Sequence, residues 1–444
     1  MEWLGHSNID FTHAPTTRTI KSRGDTQVAT DSSQKSLDEA HQDVDLLTIV
    51  KNATPPCQLN PLLFNGHVQT MWTATKPHGP PVYYRRRIFT ADSKEYEGTF
   101  AVDFVVPPHD DEDDSISFPR TVNFTEEQWK AVDAGSNDEK PMMVILHGLS
   151  GGSHEVYLRH CIQPFIEQGN WEICVINARG CAGTKITSGV LYNARATWDV
   201  RQVVKWVRKT FPNRPVFGLG FSLGANMLTN YCGEEGPNCE LKAAVVCSNP
   251  FNLEISSKIL QKTWIGKEVY LRVMGGSMRA LAQNHKDDLA KNTNLDMEKL
   301  VSVKYLHEFD ELVQCPSWGY PTVYSYYRDA SSTDAVLSIR IPFLAVHAVD
   351  DPIAVKEAIP YEEFRQNPDT ILLTTSMGGH LCWFESGGSR WYTKPVYNFL
   401  NHIAFETDLE SIKPSKDPET TGNNDRGTRY VPMRRNLFMQ HDTT

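Results

Sequence analysis

Gly220-Phe221-Ser222-Leu223-Gly224 reads G-x-S-x-G. Alone, such a pattern arises by chance in roughly one chain in seven of this length. Its flanks make it informative. PVFGLG ahead of it reads as a buried strand, and LGANMLTNYC behind it reads as the start of a helix. A strand-to-helix elbow holds a serine hydroxyl at the tip of a strained turn, and glycines on both sides let that turn close. The helix N-terminus beneath offers N–H groups and a positive dipole to a developing oxyanion. The plain alternative is a serine that merely caps a helix.

A serine hydroxyl is a poor nucleophile until a base takes its proton. Downstream, His347-Ala348-Val349-Asp350-Asp351-Pro352 closes the apolar run IPFLAVHA, and Met377-Gly378-Gly379-His380 follows TILLTTS. The order nucleophile, acid, histidine suits an elbow of this kind, with the acid fixing the imidazole tautomer. Spacing leaves Asp350 and Asp351 both open as the acid. Among fifteen histidines, His380 stands out by its position after the last strand. His347, on a strand, reads as a packed core residue. Two backbone amides should hold the oxyanion: Leu223, and Leu149 within His147-Gly148-Leu149-Ser150-Gly151-Gly152. That glycine run lacks the G-K-[ST] ending of a phosphate loop. No metal or organic cofactor is expected, because proton transfer falls to His380.

These groups need a scaffold. From Met142 onward, short runs apolar on both sides (MMVILHG, WEICVINARG, PVFGLGFS, KAAVVCSN, IPFLAVHA, TILLTTS) alternate with helical stretches. That rhythm predicts an α/β fold with a doubly wound, mostly parallel sheet. About 253–340 contains no buried-strand run and reads as a helical lid at the C-terminal side of the sheet, where substrate sites form. Its aromatics Trp318, Tyr320, Tyr324, Tyr326 and Tyr327 either line a pocket or form the insert's own core. Residues 55–405 are expected to form the main domain, with a hairpin over 83–106 and an acidic, turn-rich loop over about 107–140. Residues 1–54 read as a polar, flexible extension and 406–444 as a polar tail.

The net charge of -10 and the lack of a basic run argue against a nucleic-acid partner. Nine cysteines without CxxC spacing suggest free thiols in a reducing, cytoplasmic setting. The N-terminus has no signal-peptide pattern, and no apolar stretch of about 18 residues exists to span a bilayer.

PLLFNGHVQTMW, LHGLSGGS, VINARGCAG, LGFSLGANML, EFDELVQCPSWGYPTVYSYYRDASS, HAVDDP and SMGGHLCW, in that order, resemble the AB hydrolase 4 family of the AB hydrolase superfamily. The resemblance covers about 55–405. It implies an α/β-hydrolase fold and a triad of Ser222, Asp351 and His380, favouring Asp351 over Asp350. It also implies a serine esterase or lipase acting on medium- or long-chain acyl esters. The rival within the family is an alcohol O-acyltransferase that makes fatty-acid esters from acyl-CoA and an alcohol. A rival of another class is an inactive fold used for binding. Animal members carry an N-terminal membrane anchor where this chain has a polar extension. Contact with membranes or lipid droplets would then be peripheral.

Overall fold

Runs apolar on both faces must be covered on both faces, and the molecule is built that way. The computed structural model describes residues 4–23, 43–415 and 430–433, apart from 74, 76–78, 94–95, 114–115, 117 and 292–294. Ten strands form one sheet: β1 (Ile9–His13), β2 (Tyr83–Thr90), β3 (Thr99–Val106), β4 (Thr121–Asn123), β5 (Met142–Leu146), β6 (Glu172–Asn177), β7 (Val216–Phe221), β8 (Leu241–Cys247), β9 (Phe343–Ala348) and β10 (Thr370–Thr375). Their order is β1-β10-β9-β8-β7-β5-β6-β3-β2-β4. The six strands from β10 to β6 are parallel, while β1 and β3 close this block antiparallel on either side.

Side chains alternate between two cores. Leu344 and Val346 of β9 face a core with Phe165, Trp171 and Trp391. Phe343 and Ala345 face another with Trp198, Tyr231 and Phe251. The helices α1 (Leu46–Ala53), α2 (Gly66–Thr73), α3 (Val156–Gln168), α4 (Trp198–Thr210), α5 (Leu223–Glu235), α6 (Arg272–Asn284) and α7 (Thr393–Phe405) include those that cover these faces. The insert between β8 and β9 is helical, as its sequence predicts, and includes α6.

Three expected boundaries change. Residues 1–54 are not a loose extension where they are described. Here β1 pairs with β10, and α1 buries Leu46, Ile49, Val50 and Ala53. Residues 1–3 and 24–42 lie outside the described residues. The acidic stretch 107–140 contains β4, paired with β2, and a helix Glu126–Asp133 whose capping box joins Thr125 and Gln128. Of the tail 406–444, the first ten residues dock: Asp408 N–H donates to the Lys21 carbonyl (2.9 Å), and Ile412 is buried. Residues 416–429 and 434–444 lie outside the described residues.

Candidate active site

The elbow forms between β7 and α5. Ser222 has φ 51° and ψ -118°, a strained conformation for a residue with a side chain. Crowding explains the glycines. A Cβ on Gly224 would lie 2.4 Å from the His147 carbonyl oxygen, and one on Gly220 would lie 2.8 Å from the Ala225 Cα. The Ser222 amide donates to the Cys247 carbonyl at the end of β8 (2.9 Å), which fixes the turn to the sheet.

Asp351 follows β9 and His380 follows β10, so parallel neighbours deliver both to the same end of the sheet. His380 Nε2 lies 2.9 Å from Ser222 Oγ, and Nδ1 lies 2.8 Å from Asp351 Oδ2 and 3.1 Å from Oδ1. Asp351 Oδ1 also accepts from the amides of Ile353 (2.8 Å) and Ala354 (2.9 Å). Burial alone would raise the Asp351 pKa. The charge and hydrogen bond of His380, with His347 and the Ile353 amide, outweigh it and hold the carboxyl below its ordinary value. His347 is buried, and its Nε2 donates to the Ala354 carbonyl (2.8 Å), a packed core histidine.

Asp350 has another task. Its Oδ1 accepts from the Gly379 amide (2.9 Å), which braces the loop that carries His380. Burial pushes its carboxyl up to about 6. The two aspartates that spacing left open are therefore separated by their partners.

α2 is a brace whose role in the site the sequence did not disclose. Thr70 Oγ1 accepts from the His380 amide (3.0 Å), and Gln69 Oε1 accepts from the Phe384 amide (3.0 Å). A Cβ on Gly66 would sit 1.9 Å from the Asp350 carbonyl oxygen. The motif PLLFNGHVQTMW thus clamps the acid and histidine loops from across the chain. Its presence was visible, but a contact across 310 positions leaves no local mark.

Leu149 lines the cavity with Ser222, and Leu223 takes the first position of α5. The first amides of a helix have no intrahelical acceptor. The Leu149 amide donates to nothing among the described residues, although Gly148 and Ser150 beside it both do. Tyr157 and Tyr192, which receive those two bonds, carry no sequence signal that would have singled them out.

Ser222 and His380 open on a cavity of about 280 Å³ with a mostly apolar wall that includes Leu149, Tyr157, Val273, Met274, Ile353 and Leu381. Val273 and Met274 belong to α6, so the insert supplies part of the cavity wall. The insert's aromatics do not line this cavity. Tyr320, Tyr326 and Tyr327 are buried together with Cys315 and Ala330 as the insert's own core. A larger hollow, about 970 Å³, lies at the opposite end of the strands by Pro141, Pro215 and Lys242. It touches none of the three groups. The Lys242 ammonium there already donates to the Leu409 carbonyl (2.7 Å).

A parallel sheet, a strained serine after a central strand and a histidine loop over it define an α/β hydrolase. Residues 141–386 match the family model described as alpha/beta hydrolase fold, and the chain belongs to that family. Its relatives agree with the AB hydrolase 4 group that its motifs resemble. The chain is 41% identical over 283 residues to a monoacylglycerol lipase of Saccharomyces cerevisiae, covering 63% of this chain and 63% of that protein. It is 30% identical to a medium-chain fatty acid ethyl ester synthase/esterase of the same yeast, covering 77% of this chain and 85% of that protein. It is also 30% identical to a phospholipase of Homo sapiens, with 72% of each chain covered. Among the described residues, no helix is long and apolar enough to cross a membrane.

Proposed function

We propose that this chain is a serine carboxylic-ester hydrolase that works through an acyl-enzyme on medium- or long-chain acyl esters. One observation carries the reading: a single imidazole reaches Ser222 Oγ at 2.9 Å and Asp351 at 2.8 Å, at the floor of an apolar cavity. His380 takes the Ser222 proton as the alkoxide attacks the ester carbonyl. The tetrahedral anion is held by the amides of Leu149 and Leu223. Collapse transfers the proton from His380 to the leaving alcohol and leaves Ser222 acylated. Water, deprotonated by the same imidazole, then releases the acid.

Transfer to an alcohol is the second reading. It is favoured by the ethyl ester synthase/esterase relative and by a half-polar groove of about 740 Å³ that meets the catalytic cavity at Ser150 and Ser277. An alcohol admitted there would replace water in the second step. An inactive binding fold is disfavoured by the assembled hydrogen bonds. A fluorophosphonate probe tests the first reading: label should appear on wild type and vanish in Ser222→Ala. Label surviving in that variant would remove the assignment. Acyl-CoA with a short alcohol then separates the outcomes, since acid alone at high alcohol concentration eliminates transfer.

Contact with a lipid surface belongs to the same proposal. Leu62, Phe64, Met71 and Trp72 are exposed around α2, and Trp264 and Val273 are exposed on the insert. Thr70 and Thr73 of α2 and Val273 of the insert line the cavity, so both elements that carry these apolar groups reach its wall. Exposed apolar groups of this sort on both α2 and the insert suit docking on a lipid droplet or membrane from the cytoplasm. Nine free, buried thiols accord with a reducing compartment. Co-sedimentation with phosphatidylcholine vesicles should drop when Trp72 and Trp264 are both changed to Ser; unchanged binding would refute the docking face.

A further inference from the structure

The backbone around Leu149 is fixed more tightly than a glycine-rich loop requires. Three consecutive amides run past the nucleophile. Gly148 N–H donates to the Tyr157 hydroxyl (2.8 Å), and Ser150 N–H donates to the Tyr192 hydroxyl (2.8 Å). The amide between them has no acceptor among the described residues. We infer that Tyr157 and Tyr192 are positioning residues that set the oxyanion hole, by holding the amides on either side of Leu149 and leaving its N–H as the directed donor. The inference rests on reading the chain as a serine ester hydrolase.

The peptide plane supplies the direction. Ala178 N–H donates to His147 Nε2 (3.0 Å), so the ring proton sits on Nδ1, which donates to the Gly148 carbonyl (2.6 Å). In a trans peptide the C=O and the following N–H point opposite ways. With the Gly148 oxygen held by His147, the Leu149 N–H must face away from it. Tyr157 and Tyr192 then stop that plane from rolling about the flanking bonds. Without the Tyr192 tie, Ser150 would have less reason to keep its φ of 53°, in the left-handed region that side chains disfavour.

Each tyrosine is itself anchored. The Tyr157 ring packs on Phe221, the residue before the nucleophile, with centroids 5.2 Å apart. A Cβ on Gly148 would fall 3.1 Å from the Tyr157 hydroxyl and 3.3 Å from the Ser222 Cβ, so the hydroxyl, the loop and the nucleophile crowd one point. Tyr192 belongs to the segment that meets the insert. Its carbonyl accepts from Gln314 Nε2 (3.0 Å), its hydroxyl lies 3.9 Å from Met278 Sδ on α6, and Ala194 N–H donates to the Tyr326 hydroxyl (2.9 Å). The insert therefore acts on the oxyanion donor through Tyr192. Tyr192 is buried and Tyr157 half-buried, and the loss of solvent around both phenols holds their pKa well above the ordinary value and keeps the hydroxyls neutral.

The test is Tyr157→Phe and Tyr192→Phe, each assayed on a medium-chain p-nitrophenyl ester. We expect kcat to fall about 10- to 100-fold with KM changed by less than about threefold, somewhat short of deleting a donor outright. Affinity for a trifluoromethyl ketone, which becomes a tetrahedral anion on Ser222, should weaken by the same factor as kcat. A fall in kcat with unaltered ketone affinity, or kcat kept within about twofold, would overturn the assignment. Should neither variant fold, hydrogen exchange on the wild type decides. Gly148 and Ser150 amides should be protected in the free enzyme and Leu149 only once the ketone binds; early protection of Leu149 would contradict the inference. A wild type that hydrolyses no ester would defeat the underlying reading instead.

Discussion

Asp351→Asn should nearly silence the enzyme, and the structure says why the asparagine cannot compromise. Asp351 Oδ1 accepts two backbone amides, from Ile353 and Ala354 (2.8 and 2.9 Å). An asparagine must keep its carbonyl oxygen there, since turning its amide inward would set donors against donors at about 1–3 kcal/mol for each lost bond. Its NH2 group then replaces Oδ2, the atom 2.8 Å from His380 Nδ1. An amide nitrogen only donates. Nδ1 must become the acceptor, and the ring proton moves to Nε2, which faces Ser222 Oγ at 2.9 Å. An imidazole in that tautomer cannot take the serine proton. In serine triads this swap lowers kcat about 10⁴-fold, or about 5.4 kcal/mol of barrier. Steady-state turnover of a p-nitrophenyl ester at pH 7.5 to 8 is the assay, with Asp350→Asn as the comparison. That variant keeps an oxygen for the Gly379 amide and should lose less than about tenfold. The tautomer argument fails if Asp351→Asn stays within tenfold of wild type, or if the two variants fall equally.

Other perturbations have equally definite outcomes. Asp310 is buried, receives the Tyr327 hydroxyl (2.6 Å), and is pushed up by burial to about 7. The folded chain keeps a proton there that the unfolded chain sheds near 3.8, so this group lowers stability as pH rises from about 4 to about 7. Asp310→Asn should therefore match wild type near pH 4 and be more stable by about 2–4 kcal/mol at pH 8; thermal melts showing the same difference at both pH values would count against this. Asp103 holds Arg86 in a two-point ion pair (2.6 and 2.8 Å) and also accepts from Ser153 and Asn177. Asp103→Ala should cost about 3–5 kcal/mol in urea unfolding, because a buried guanidinium loses its partner; a cost under about 1 kcal/mol would show that water replaces it. Gly66→Ala would drive a methyl to 1.9 Å from the Asp350 carbonyl oxygen. The loop carrying the acid must shift, and kcat should fall by up to about 10²-fold. A fully active variant would mean that α2 does not position the acid.

The parts of the site that could be read from the residues share one property: their signals are local. The elbow announces itself because steric crowding demands glycine at 220 and 224 around Ser222. His380 stands out because two glycines free the loop before it. The choice between Asp350 and Asp351 lay beyond spacing, because both carboxylates meet the same loop and only their partners distinguish them: the Gly379 amide for one, the His380 ring with the amides of Ile353 and Ala354 for the other. The helix Glu126–Asp133 does have a local signal, the TEEQ capping box, but it is masked by the acidic composition around it. β1 is harder to see. IDFTH is short and half polar, and its partner β10 lies more than 350 positions away. Nor could composition tell whether the tyrosines of the insert faced substrate or one another. Their hydroxyl partners, Asp310 for Tyr327 and the Ala194 amide for Tyr326, answer that only once the chain is folded.

β1 also bears on how the protein is handled. It covers the outer side of β10, and just beyond it Ser7 Oγ bonds both the amide and the carbonyl of Met377, three residues before His380. A clone trimmed to begin near residue 55 would leave β10 as a bare sheet margin, open to pairing with another copy. It would also lose a support of the histidine loop. Such a truncation should give inactive aggregates, even though every residue assigned to catalysis is retained.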